Sequence, residues 1–177
     1  LYQALNCPPP EFAHLPLILA KEGGRMSKRK GATAITEYRQ MGYLSAALVN
    51  FLMLLGWAPG ADREIIEIQE AIKLFDIKDV NKTAAVMDMA KLDWINNQYL
   101  KNKDPEKLAD ELIPLLAEKK FIEQDNFDRT YLVSLVKLFQ PRLTVLGDFV
   151  ERADSFFLEN IIIDPQAQEK FLNCDLS

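Results

Sequence analysis

The residues from Lys21 to Gly31, with the sequence KEGGRMSKRKG, are the stretch whose residue types and spacing best fit chemistry. This run holds five Lys or Arg residues and one acid, in a chain whose formal net charge is −5. Positively charged side chains stabilise the charge on phosphate oxygens during transfer reactions, and flanking glycines let the backbone approach closely. The run therefore predicts a polyphosphate site, although a solvated basic surface loop stays open as the alternative.

The pattern RMSKRKGA within this run resembles the KMSKS signature loop of class I aminoacyl-tRNA synthetases, and more narrowly that of glutamyl-tRNA synthetases. Arg25 stands at the lead lysine of the motif and Arg29 at its final serine, and the glutamyl group tolerates both variants. The match continues through the segments ITEYRQMG, ALVNF, LLGW, VNK and KLDWIN, and ends at Tyr99-Leu100. The resemblance thus covers the first half of the chain and is looser beyond it.

The resemblance implies specific roles for the loop residues. Lys28 would contact the ATP phosphates and stabilise charge as pyrophosphate leaves, Arg25 would assist it, and Ser27 would hydrogen-bond a phosphate or hold the loop. These three are the expected catalytic residues. Met26 and Arg29 complete the expected ATP-binding set, and Mg²⁺ is expected to accompany ATP without a metal site of the protein.

The resemblance also implies contacts with tRNA(Glu), through backbone contacts on the stem and base reading at the anticodon. The stem-contact signature contains Asn81, Lys82, Lys91 and Asn96. Trp94 lies in the same signature, with a core position as its alternative. Arg142 is the candidate for reading the last anticodon base, and a surface arginine at a helix start is the alternative.

Composition excludes several classes of protein. Two cysteines near opposite ends of 177 residues make neither a disulfide framework nor a zinc site. Apolar runs are shorter than the roughly 18 residues of a membrane helix. The segment LYQALNCPPPEF lacks the basic lead and the apolar core of a secretory signal, so we expect none there. We expect a cytoplasmic monomer. Because the chain lacks an initiator methionine and a HIGH-like element, we also expect part of a longer enzyme, inactive alone.

The elements that must position the loop and the tRNA contacts can be read from periodicity and caps. His14–Leu19 reads as a short buried strand leading into the loop. A short helix is predicted from a Thr36 cap through Arg39, ended by Gly42. Another is predicted over Ile68–Phe75, with Ala71, Ile72 and Phe75 inward. Two longer helices are predicted to start at Ser45 and after Asp88, with inward stripes at Leu48, Phe51, Leu52 and Leu55, and at Leu92, Ile95 and Tyr99.

The second half predicts further helices. Asp104-Pro105 and Asp164-Pro165 each combine a cap with proline at the first helical position, and Asp128 is a third cap. Pro114 should kink or split the first of these helices. Another helix should begin at Thr144 or its neighbours.

The expected fold class is mainly α: a helical stem-contact domain followed by an α-helical bundle, with a strand and loop from a Rossmann-type catalytic domain. The resemblance places the end of the catalytic core at 1–31, the stem-contact domain at 32–103 and the start of the anticodon-binding domain at 104–177. The implied function is glutamate activation by ATP and transfer to tRNA(Glu). Two alternatives stay open: a glutaminyl-tRNA synthetase, and a non-catalytic tRNA- or protein-binding module with an inherited loop.

Overall fold

The computed structural model describes residues 1–24, 34–60, 63–123 and 126–158. The chain divides into two compact units, Leu1–Tyr99 and Leu100–Ser177. Within the described ranges both units are mainly helical, and the strands form one two-stranded sheet in the first unit. The predicted mainly α fold class is confirmed, while the domain boundaries at 31 and 103 stay predictions.

The sheet of the first unit lies directly before the signature loop. Strand β1 (Ile18–Leu19) pairs in parallel with β2 (Ala85–Val86). The predicted buried strand from His14 was wrong in length and burial, because only two residues pair and Ile18 is 39% exposed.

The next two helices begin differently from their predicted caps. Helix α1 spans Ile35–Gln40, and the Glu37 carboxylate accepts the Ala34 N–H at 3.0 Å, so Thr36 lies inside the first turn. Helix α2 spans Ser45–Gly56, with Leu44 at its N-cap position. Ser45 is therefore the first helical residue and not the cap, and the Leu44 N–H donates to Asn96 Oδ1, which lies on a helix distant in sequence.

The buried faces of α2 and α3 (Ile68–Leu74) are also displaced from the predicted stripes. In α2 the buried residues include Leu48 and Phe51 as predicted, but Leu52 is exposed. In α3 Ala71 is buried, whereas Ile72 and Phe75 are exposed. Periodicity alone did not reveal that the short helix α3 buries so little of its apolar surface.

Helix α4 (Met89–Asn102) carries most of the predicted stem-contact residues. Asp88 accepts the Ala90 N–H at 3.1 Å, so the predicted start is confirmed. Leu92 and Ile95 are fully buried, as predicted, and Tyr99 is half-buried. A 3₁₀ turn at Ile77–Asp79 precedes β2.

The second unit contains α5 (Pro105–Glu118), α6 (Arg129–Phe139) and α7 (Leu146–Arg152), with α5 packed on both others. The predicted caps Asp104 and Asp128 are confirmed, since each carboxylate accepts backbone N–H groups of the following turn. Pro114 does not split α5. Its position is exposed, so water can satisfy the carbonyl that its missing N–H leaves unpaired.

The core of the second unit contains aliphatic and aromatic side chains with at most 1% exposure: Leu100, Leu108, Ala109, Leu112, Leu116, Leu132, Val136, Leu143, Phe149 and Ala153. Buried Gln140 donates its amide to the carbonyls of Leu100 and Lys103 at 2.7 and 2.6 Å. The predicted helix after Asp164-Pro165 lies outside the described residues.

Candidate functional site

The signature loop is described only at its two flanks. The expected catalytic and ATP-binding residues lie outside the described ranges, and they are Arg25, Met26, Ser27, Lys28 and Arg29. On the upstream side, Gly23 and Gly24 have φ of 82° and 76°, the left-handed region that favours glycine. Ala20 donates its N–H to the Gly24 carbonyl at 3.0 Å, which closes a tight turn before the loop.

The upstream flank is tied to the start of α4. The Met87 N–H donates to the Leu19 carbonyl at 2.8 Å, which continues the β1 and β2 pairing. Lys21 Nζ lies 4.0 Å from the Asp88 carboxylate, the same group that accepts the N–H of Ala90. The base of the loop and the helix that carries the predicted tRNA contacts are therefore held together in one unit.

Lys91 and Trp94 lie three residues apart on α4, a spacing that places them on neighbouring parts of the helix surface. Lys91 Nζ is paired with Glu64 Oε1 at 2.8 Å. Trp94 is 44% exposed, so the alternative that its indole ring belongs to the core was wrong. A cation beside an exposed aromatic ring suits contact with nucleic acid.

Asn96 has a structural task that the sequence did not indicate. Its side chain is fully buried, and its Oδ1 accepts the Leu44 N–H at 2.9 Å. This bond joins α4 to the start of α2. A side chain without exposed surface cannot touch a bound tRNA directly, so we leave Asn96 out of the proposed contact set.

Asn81 and Lys82 lie in the segment between the 3₁₀ turn and β2, and both are exposed. The Asn81 N–H donates to the Gly56 carbonyl at 2.7 Å, which fixes this segment against the end of α2. Both side chains are placed where a partner molecule could reach them.

A buried polar network lies behind the Lys91 and Glu64 pair, centred on fully buried Asn50. Asn50 Nδ2 donates to the Glu64 carbonyl at 2.8 Å, and its Oδ1 accepts from the Ile66 N–H and the Tyr99 hydroxyl, each at 2.9 Å. Burial, and then the charge of Glu67, raises the pKa of Tyr99, which keeps this hydroxyl protonated as a donor.

Sequence reasoning missed both Asn50 and Glu64. An asparagine within the apolar run ALVNFLMLL was the available signal for Asn50, because a buried amide needs hydrogen-bond partners. Nothing comparable marked Glu64, whose side-chain partner lies 27 residues away.

An apolar cleft of about 190 Å³ lies beside this network. Its lining includes Val49, Met53, Ile66 and Ile68, with Glu67 as its one ionisable carboxylate. None of the predicted site residues lines the cleft.

Arg142 is exposed at the end of the 3₁₀ turn Gln140–Arg142 in the second unit. Among the described residues it has no ion pair, so its guanidinium can donate hydrogen bonds to an external acceptor. Both interpretations of Arg142 therefore stay open.

Two searches of the described ranges were negative. No group of three or more His, Cys, Asp and Glu side chains there could hold a metal ion. In the same ranges, every helix is too short or too polar to cross a membrane.

Comparison with protein families gives two matches. Residues 1–94 match the catalytic domain of class I tRNA synthetases (E and Q), and residues 107–175 match an anticodon binding domain. The first match covers more than half of the chain.

The chain is similar to curated glutamate–tRNA ligases. It is 44% identical over 172 residues to glutamate–tRNA ligase 2 of Caldicellulosiruptor saccharolyticus, covering 97% of this chain and 36% of that protein. It is 40% identical over 168 residues to glutamate–tRNA ligase of Thermosynechococcus vestitus, covering 94% of this chain and 35% of that protein. The chain therefore spans about a third of the length of these relatives.

The chain is also similar to a solved structure. The crystal structure of a glutamate tRNA ligase from Elizabethkingia meningosepticum in complex with its amino acid superposes with a TM-score of 0.81 at 33% identity. The superposition covers 96% of this chain and 36% of that one.

Proposed function

The chain belongs to the class I tRNA synthetases for glutamate and glutamine, and we propose that it is part of a glutamate–tRNA ligase. The observation that carries the proposal is the similarity, over almost the whole chain, to proteins named glutamate–tRNA ligase. In this proposal the chain supplies the phosphate loop and the tRNA contacts of the enzyme. By itself it is inactive, because its sequence contains no HIGH-like element.

The proposed reaction has two steps. A carboxylate oxygen of glutamate attacks the α-phosphorus of ATP and pyrophosphate leaves, and a terminal ribose hydroxyl of tRNA(Glu) then attacks the activated carbonyl and releases AMP. Lys28 stabilises the charge on the departing pyrophosphate, with Arg25, Ser27, Met26 and Arg29 completing the loop. ATP arrives as its Mg²⁺ complex, which supplies further positive charge at the phosphates.

The structure of the described flanks supports this assignment of the loop. The parallel pairing of β1 with β2 holds the chain where it leads into residues 25–33, and the exposed pair between Lys21 and Asp88 at 4.0 Å adds little to it. Catalysis by charge stabilisation needs such positioning, because misplaced cations lose most of their effect on the transition state.

We propose that tRNA(Glu) contacts the first unit through Asn81, Lys82, Lys91 and Trp94. All four retain exposed or partly exposed side chains in that unit. Lysines and asparagine suit the phosphate and sugar backbone, and the indole ring suits stacking on a ribose or base. Arg142, exposed in the second unit, is the proposed reader of the last anticodon base.

A glutaminyl-tRNA synthetase is the less favoured alternative. Bacterial glutaminyl enzymes have a β-barrel anticodon domain, whereas the described part of the second unit consists of helices. The proposed enzyme acts as a monomer in the cytoplasm, where ATP and tRNA are available.

Binding of tRNA(Glu) to the purified chain at increasing salt tests the proposal. Filter binding should show an affinity that falls steeply from 50 to about 200 mM salt, because phosphate contacts release counterions. A tRNA of unrelated anticodon and stem sequence is the matched competitor. The absence of salt-dependent binding would contradict the proposal and favour a scaffold role.

A further inference from the structure

The side chain of Lys91 is held by the protein itself. Its ammonium lies 2.8 Å from Glu64 Oε1, and both side chains are about 40% exposed. A pair this open to water contributes little to stability. Its effect on a ligand can be larger, because the carboxylate occupies one donor of the ammonium and places a negative charge beside it.

Buried hydrogen bonds hold the backbone that carries Glu64. The Glu64 carbonyl accepts from Asn50 Nδ2 at 2.8 Å, and the Ile66 N–H donates to Asn50 Oδ1 at 2.9 Å. Asn50 is fully buried. These bonds keep the Glu64 side chain within reach of Lys91.

We propose that Glu64 is a positioning residue that restrains Lys91 and thereby lowers the affinity of the first unit for tRNA. The inference rests on the proposed function, because it takes Lys91 as a phosphate contact. A phosphate that approaches Lys91 must compete with the carboxylate and is repelled by it. Such a restraint favours release of the charged tRNA, which an enzyme that turns over requires.

Glu64→Gln tests the inference, because it removes the charge and keeps the size and hydrogen-bonding capacity of the side chain. Filter binding should show a higher affinity for tRNA(Glu). The slope of log K against log salt should become steeper by the amount expected for about one additional phosphate contact. The gain in affinity should accordingly be about three times larger at 50 than at 200 mM salt. A merely structural role would leave this slope unchanged.

Two further variants isolate the effect. Lys91→Gln should weaken tRNA binding and make the slope of log K against log salt shallower by the amount expected for about one phosphate contact. In the Lys91→Gln background, Glu64→Gln should leave that slope unchanged. Glu70→Gln is the matched control, because it removes the same charge from an exposed pair in the same unit. Hydrogen bonds from Arg63 lower the pKa of Glu70, so that carboxylate is charged at neutral pH.

The outcomes separate cleanly. A steeper slope in Glu64→Gln alone supports the inference. An unchanged or flatter slope overturns it, and so does an equal change in Glu70→Gln, which would reveal a general effect of net charge. If the unaltered chain shows no salt-dependent tRNA binding, the proposed function itself fails together with the inference.

Discussion

The buried amide of Asn50 should make a large contribution to the stability of the first unit, and Asn50→Ala tests it. The side chain is fully buried and bonds the Glu64 carbonyl, the Ile66 N–H and the Tyr99 hydroxyl. Alanine leaves the two backbone groups without this partner. The Tyr99 hydroxyl retains its contact with the Ile66 carbonyl at 3.2 Å, so it loses less.

The expected magnitude follows from those two backbone groups. A buried polar group left unsatisfied costs about 1–3 kcal/mol, so Asn50→Ala should lower the free energy of unfolding by about 3 kcal/mol. Tyr99→Phe, the matched control, removes one hydroxyl and should cost about 1 kcal/mol. The ratio between the two variants is more informative than either value alone.

Urea denaturation followed by tryptophan fluorescence provides the assay. Both tryptophans, Trp57 and Trp94, lie in the Leu1–Tyr99 unit, so their emission reports on the unit that contains Asn50. The midpoint should fall without a change in m-value if the native fold persists. A loss below about 1 kcal/mol for Asn50→Ala would refute the reasoning, because it would mean that water replaces the amide without penalty.

Three other predictions concern the loop, the anticodon and pH. In the complete ligase, Lys28→Ala should lower the rate of pyrophosphate exchange by about 10²–10³ and leave tRNA affinity nearly unchanged, and an unaltered exchange rate would contradict the role of Lys28. Arg142→Gln should reduce discrimination between tRNAs whose anticodons end in C or G, measured as a ratio of charging rates; an unmoved ratio would rule out base reading. Burial raises the pKa values of Tyr38 and Tyr99 above their ordinary value. Their contribution to the free energy of unfolding is therefore complete below the unfolded pKa of about 10, and it is lost as pH rises through the folded pKa values. Stability measured by urea should therefore fall above about pH 10, and less so in Tyr99→Phe.

The sequence predicted the structure best where hydrogen-bond partners lie close together in the chain. Asp104 and Asp128 each accept N–H groups within three residues, so their roles were legible from sequence. Ser45 failed as a cap because Leu44 occupies the cap position, where its N–H donates to Asn96, 52 positions away. Ile72 and Phe75 failed as core residues because burial depends on neighbours that periodicity does not specify.

The candidate site shows the same division. The residues of the loop and of the stem-contact signature could be predicted because they form short continuous patterns, and their roles stay predictions. Glu64 and Asn50 act through partners that are distant in sequence, and Asn96 proved buried although Asn81 and Lys82 of the same signature are exposed. A motif identifies which residues matter to a family, but folding decides which of them face solvent.

The parallel pairing of β1 with β2 has a consequence for the order of folding. Helices α1, α2 and α3 all lie between the two strands, so the pairing must close a long stretch of chain. Contacts between distant residues form late, because the entropy of loop closure is lost before any bond is gained. The β1 and β2 pairing, which stands at the entrance to the signature loop, should therefore form only after the helices of its unit have folded.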